Sequence, residues 1–366
     1  MSDFISSIPA RFFAFITALI FLFNGGGPLI GEYDAEVSTK LTQTEMISGE
    51  LPKDIQLKAF YDNAEEDFII PGLKEGFIPQ GIFYEEENDI FLISGYYKGK
   101  AQPSRVIVVD GEGSFVKSVG CISRKGNKAF GHFGGIAVFK DNVYVATTGV
   151  THVLSLSEIL NAGDEDYVLI QGELYTDTTC SYVSVCDNVL YIGEFTDKTA
   201  DDIKSATNVY ENGFEKYYSR CNAFLLDENG RFGIKNDKID EENNLIPDFA
   251  FTTPFKVQGM CAMPDGRLVF TASANAITNS HVYLYEDVTE GEADEIISVG
   301  GCDVPLYYCA NSDLIDTYRV PTYLEEITLY ADGSVYIITE SAAAPYVNQS
   351  KNPIDNVFKW NIDGMK

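Results

Sequence analysis

Along this chain, short runs of Val, Ile, Leu, Tyr and Phe alternate with polar residues at a period of two, and acidic or glycine-bearing turns separate them. Residues 80–84 and 90–94 are joined through Asn88-Asp89, 135–139 and 143–147 through Asp141-Asn142, and 182–186 and 190–194 through Asp187-Asn188. The phrase returns at 260–263 and 268–271 across Asp265-Gly266, and at 327–330 and 335–339 across Asp332-Gly333. Asn, Asp and Gly tolerate the positive φ of tight turns, so each pair predicts a β-hairpin. Third strands follow at 106–109, 153–156, 223–226, 282–285 and 357–361, and fourth strands are expected at 115–119, 167–171 and 295–299. Apart from a short helical turn at 156–160, no ordinary helix is expected.

Five units of up to four strands predict an all-β fold built by radial repetition, a β-propeller with strands A to D running outward from its axis. The fifth unit ends too close to Lys366 to hold a fourth strand, while residues 68–71 stand alone before the first unit. A circular array keeps an unpaired edge unless both ends of the chain share a blade. The stretch 68–71 is therefore expected to complete blade five. Five blades is the expected count; the acidic segment 237–253 is where a sixth would have to hide.

Ahead of the repeats, Arg11 precedes an apolar run at 12–23, of signal-peptide length and short for a membrane span. Residues 1–27 are expected to be a signal peptide or N-terminal tether, 28–66 a linker, and 67–366 one propeller domain. The protein is thus expected to be exported, secreted or held at the cell surface, as a monomer. A net charge of −29 repels nucleic acid and anionic membranes, leaving no membrane contact beyond a tether. Cations, small molecules, glycans and peptides remain as partners. Among the seven cysteines, Cys302 and Cys309 bracket a short loop, and a disulfide is expected there in an oxidising compartment. Cys186 and Cys261 fall in strands and are expected as buried thiols.

In such a ring, A-strand starts and B-strand ends converge around one mouth of the central channel, the default place for a ligand. Aligned on their turns, Gln80, Gly134, Cys180, Gln258 and Glu325 form one ring, and Gly81, Gly135, Ser181, Gly259 and Glu326 the next. Glu326 is the exception in a ring of small residues, and local exceptions to a repeat concentrate at functional sites. Glu194 and Glu340 end B strands. With Glu326 they are candidate oxygen ligands for Ca²⁺ or Mg²⁺, or an acid–base pair. His132, flanked by Gly131 and Gly134, has no counterpart in other repeats and is a candidate acid, base or donor. His152 and His281 recur at one repeat position beside Arg105, which favours a structural role. The expected ligand set is therefore Gln80, His132, Glu194, Gln258, Glu325, Glu326 and Glu340, with His132 and Glu326 as catalytic candidates.

The phrases Pro79-Gln80-Gly81-Ile82, Gly131-His132-Phe133-Gly134-Gly135-Ile136-Ala137 and Gln258-Gly259-Met260 resemble inner strands of exported NHL/YWTD-type and gluconolactonase-like propellers. That resemblance implies a propeller fold and, for the lactonases, a divalent cation held at the channel mouth by Glu, Asn and Asp. Gln80 stands where those lactonases open with Glu, and Glu325 keeps an acid at that repeat position. The leading expectation is an exported propeller binding a small molecule, glycan or peptide at its channel mouth. A cation-dependent hydrolase or lyase is the alternative, and a structural or adhesion module the third.

Overall fold

The computed structural model describes residues 40–48, 54–197 and 209–362. The chain divides into two units, Met1–Glu32 and Tyr33–Lys366, and the first lies wholly outside the described residues, as does the expected signal segment. Among the described residues no helix is long and apolar enough to cross a membrane.

Five antiparallel blades form the second unit. Blade one runs Phe77–Glu85, Ile90–Tyr97, Arg105–Asp110 and Phe115–Ile122. Blade two runs Phe133–Phe139, Asn142–Thr147, Val150–Ser155 and Gly172–Leu174, and blade three Tyr182–Cys186, Val189–Gly193, Arg220–Arg231 and Phe249–Thr252. Blade four runs Val257–Ala262, Leu268–Ala272, Ser280–Tyr285 and Leu314–Val320. Blade five takes Leu324–Leu329, Val335–Thr339 and Asn356–Trp360 from the end of the chain and Ala64–Ile69 from its beginning.

That closing strand pairs antiparallel with the last one, Ala64 opposite Trp360 and Ile69 opposite Asn356, as edge satisfaction requires. It begins four residues earlier than 68; the Ile70 amide still donates to Asp355 O at 2.8 Å. The turns carry the expected backbone. Asp89, Asp187, Asn188, Gly266 and Gly333 all have positive φ, while in blade two Lys140 takes it instead of Asp141 or Asn142. Residues 156–161 form a short helix that Ser155 caps by accepting from the Glu158 amide at 3.1 Å.

Three outer strands depart from expectation. Tyr167–Leu169 runs parallel to the outer strand of blade one, and blade two is finished by Gly172–Leu174. Glu295–Val299 does not finish blade four. It turns through Gly300-Gly301, both at positive φ, into Cys302–Tyr307, and this hairpin docks parallel on blade three. A two-residue Gly-Gly turn is a strong local hairpin signal, and the outer edge of blade four is taken by Leu314–Val320 instead. The acidic segment read as room for a sixth blade supplies the outer strand of blade three.

The same hairpin removes the expected disulfide. Cys302 opens a strand that spans roughly 17 Å to Tyr307, while Cα atoms joined by a disulfide lie within about 7 Å. Both thiols are free, and Cys309 is buried between blades three and four.

Apolar clusters lie between successive blades. Leu92 and Val119 meet Ile136 and Val145 between blades one and two. Val282 and Val269 meet Ile337 and Trp360 between blades four and five. The closure is aromatic: Phe91 lies 5.1 Å from Phe68 and 4.8 Å from Tyr336 between ring centres, and Tyr84 lies 4.4 Å from Tyr330. Within the stretch 28–66, Leu41, Met46, Ile47, Leu57 and Phe60 are buried. The Met46 and Ile47 amides donate to one oxygen of the buried Asp355 at 2.6 and 2.8 Å.

Candidate functional site

The A strands of blades one, two, four and five each shift register near their start, between Pro79 and Gly81, Phe133 and Ile136, Val257 and Gly259, and Leu324 and Ile327. A bulge breaks the strict in–out alternation of a strand and re-aims side chains near a rim. Its result in blade five is decisive: the consecutive residues Glu325 and Glu326 are both buried, at 3% and 1% exposure.

They serve different levels of the channel. Glu326 reaches across the axis into space left by two glycines. A Cβ on Gly135 would collide with Glu326 Oε2 and lie 2.7 Å from Val183 N, and one on Gly259 would lie 2.5 Å from Oε1. The Ile136 amide donates to Oε2 at 3.2 Å. Oε1 has no partner of hydrogen-bond geometry, and the Met260 amide attracts the carboxylate from outside it. Burial raises the Glu326 pKa well above the ordinary carboxyl range, against the pull of those two amides. Glu326 thus closes the channel at mid-height. Below it, on the face opposite the A-strand starts, it lines a cavity of about 220 Å³ with Ile82, Ile136, Val183 and Cys261.

Glu325 belongs to the mouth with Glu340 and Gln80. Gln80 Nε2 donates to Glu340 Oε2 at 2.7 Å and to its neighbour's Pro79 carbonyl at 3.0 Å, which fixes the amide. Burial pushes the Glu340 carboxyl up to about 8, with Gln80 and the Lys98 charge opposing. Burial, then the nearby Glu340 and Glu326 charges, raises Glu325 well above its usual range. Both carboxyls therefore stay largely protonated near neutrality, each donating through its O–H and accepting at its carbonyl oxygen.

Tyrosines wall this pair. The Tyr96 and Tyr346 hydroxyls lie 3.4 Å apart, Tyr323 packs on Tyr346 at 5.2 Å between ring centres, and the Lys98 ammonium sits 5.1 Å from the Tyr346 ring centre. Burial and the Glu340 charge lead the upward shift of the Tyr96 and Tyr323 phenols, Tyr323 to about 12. His132 is exposed at the rim yet ringed by protein, its imidazole 4.5 Å from Tyr96. The crowding lowers its pKa. Gln258 is half-buried on the same ring of A-strand starts.

The other sequence-chosen residues lie elsewhere. Glu194 accepts from the Arg220 amide at 3.0 Å, inside a blade-three network in which Arg220 also reaches Asp177, Tyr210 and Asn222. Burial raises Glu194 to about 7. Among the described residues no three His, Cys, Asp or Glu side chains are grouped to hold a metal ion. Glu194, Glu326 and Glu340 are not among such a group. His152 lies 3.6 Å from Glu173 on the outer strand of blade two.

Tyr96, Lys98, Tyr323 and Tyr346 escaped the sequence reading. Tyr96 lies in the B strand of blade one two residues past Ser94, and Lys98 directly follows the end of that strand, so the rule that selected Glu194 and Glu340 would have come close to both. Tyr346 sits in the B-to-C connection of blade five, the same face by the same rule.

No known protein family matches this chain, and no curated protein matches it. Solved structures with similar folds include a glutaminyl cyclase from Myxococcus xanthus, at 10% identity and TM-score 0.39 over 78% of this chain and 90% of that one. The PQQ-bound aldose sugar dehydrogenase of Streptomyces coelicolor is similar at 11% identity and TM-score 0.42, over 77% and 93%. A tail fibre of a Staphylococcus aureus phage is similar at 9% and 0.43, over 82% of this chain and 53% of its own. At these values the likenesses carry no argument about activity.

Proposed function

We propose that this protein is an exported propeller whose channel mouth binds a small molecule, or the end of a glycan or peptide, that presents hydroxyl or amine groups. The observation supporting this most strongly is the buried Glu325–Glu340 pair, oriented by Gln80 and walled by Tyr96, Tyr323 and Tyr346. Protonated carboxyls both donate to and accept from such groups, and rigid phenols supply apolar walls with polar edges. The overall charge of −29 draws amines toward this face and disfavours anionic ligands.

Calorimetry with a panel of polyols, amino sugars and short peptides tests this reading. Glu340→Ala and Gln80→Ala should each weaken the captured ligand about tenfold or more, the scale of a lost charge-assisted hydrogen bond. Binding that survives both substitutions would move the site away from the mouth; no binding at all would favour the structural or adhesion role. Two neighbouring buried carboxyls of raised pKa also support a second reading, a hydrolase or lyase in which one acts as acid and the other, once ionised, as base. Turnover of a bound panel member, lost in Glu325→Gln and Glu340→Gln, would establish it. A melting temperature unmoved by about millimolar calcium or magnesium would remove a cation from either reading.

A further inference from the structure

A second cavity lies away from the mouth. It is a cleft of about 710 Å³ between blades three and four, under the hairpin formed by Tyr210–Asn212 and Glu215–Tyr217. Tyr218 and Phe255 form one wall, ring centres 5.7 Å apart and planes 30° from parallel. On the other, His281 and Tyr283 are stacked at 6.0 Å and 11°. A volume of this size with aromatic walls and a few polar groups has the dimensions of a ligand site.

The charges around the cleft are already committed. Glu215 accepts from the Tyr217 hydroxyl and from the Asn311 amide, the latter at 2.5 Å. Lys256 pairs with Asp197 at 3.2 Å and Lys216 with Glu211 at 2.6 Å. Burial and the Arg319 charge hold the His281 imidazole in its neutral form. Neutral polar groups are what remain. Asn279 donates through Nδ2 to Gln56 at 3.2 Å, and this contact fixes the amide with Oδ1 buried and without a donor. Ser273, which accepts from the Ser280 hydroxyl at 2.9 Å, keeps its own proton to give.

The lysines and the glutamate lining the cleft already have partners, flat rings suit C–H faces, and an unmet acceptor and a free hydroxyl on the same lining suit hydroxyl groups. We infer that the cleft between blades three and four binds a neutral oligosaccharide, its sugar faces on Tyr218, Phe255 and Tyr283 and its hydroxyls on Asn279 and Ser273. This site is separate from the mouth and does not depend on the reading given to it.

Calorimetry or saturation-transfer NMR on the full chain, with cellotriose, maltotriose and xylotriose as probes, tests the inference. At least one should bind with saturation below about 10 mM. The anionic trimer of galacturonic acid should bind at least about tenfold more weakly, since the lysines lining the cleft already pair with Asp197 and Glu211. Tyr218→Ala and Asn279→Ala should each weaken binding about tenfold, Tyr218→Phe should retain it, and Glu340→Gln should leave it unchanged. Failure of all three neutral trisaccharides to bind, or binding indifferent to Tyr218→Ala and Asn279→Ala in variants that melt like the parent, overturns the proposal. Loss in Glu340→Gln alone would overturn it as well, by transferring the sugar to the mouth.

Discussion

Glu326 shows how one residue can impose itself on a repeat. Its carboxyl replaces the hydrogen or hydroxymethyl group that the other blades present at this level, and it fits because Gly135 and Gly259 carry no Cβ. The cost of burying a carboxyl is limited by keeping it protonated and by the Ile136 amide. Gly135→Ala should destabilise the fold by about 1–3 kcal/mol through overpacking. Glu326→Ala should destabilise it by a similar amount, about 2 kcal/mol, through the void and the orphaned amide. In a double-mutant cycle read by urea unfolding, the pair should be strongly non-additive, because Glu326→Ala vacates the space into which the methyl of Gly135→Ala fits. Additive losses would mean that the strain at Gly135 arises from the Val183 backbone alone.

At the scale of elements, closure of the ring by Ala64–Ile69 makes the stability of blade five depend on residues nearly 300 positions away. Phe68 also supplies the aromatic contact to Phe91 of blade one, so this strand belongs to an inter-blade core as well as a sheet. A chain beginning at residue 72 should expose the backbone edge of Asn356–Trp360, lower the melting temperature by several degrees or more, and self-associate on size-exclusion chromatography. An unchanged melting profile with a monomeric peak would show that the edge needs no partner. The A-to-B hairpins were legible in the sequence because each is decided within about ten residues by turn chemistry and a period of two. The outer strands were not, since Tyr167–Leu169 and Gly172–Leu174 are three residues each and their partners depend on which edge stands free in space. The bulges were equally silent, and they bring Glu325 into the mouth while sending Glu326 across the axis.

For the whole molecule, the buried acids set a pH dependence whose sign is fixed. Glu340 titrates at about 8 and Glu194 at about 7, both above the ordinary 4.5 of an unfolded chain. Between these limits the native state binds more protons than the unfolded one, so stability falls as pH rises from about 4.5 through 8. Asp332, held down at about 2 by hydrogen bonds from Lys359 and Ser334, loses its contribution in the opposite direction, below about pH 4. The melting temperature should therefore peak near pH 5 and decline toward pH 8.5. Glu340→Gln should flatten the upper part of that decline, and Glu194→Gln the lower. A decline of unchanged slope in both variants would assign it to Glu325 and Glu326, whose carboxyls are raised as well, or to the self-repulsion of a chain of net charge −29.

By itself the sequence determined the repeat, the number of blades and the joining of the two chain ends, because turn residues, alternation and the intolerance of an open sheet edge act locally or by counting. It also placed Gln80 and Glu325 on one ring and Glu340 at a B-strand end of the same face. Only the tertiary structure decided that Glu340 meets Gln80 while Glu194 answers to Arg220, that tyrosines from blades one and five enclose the mouth, and that an aromatic cleft opens beside blade four. Those outcomes turn on bulges, docked hairpins and side chains that meet across blades, and distances in space between residues far apart in the chain are not written in its periodicity.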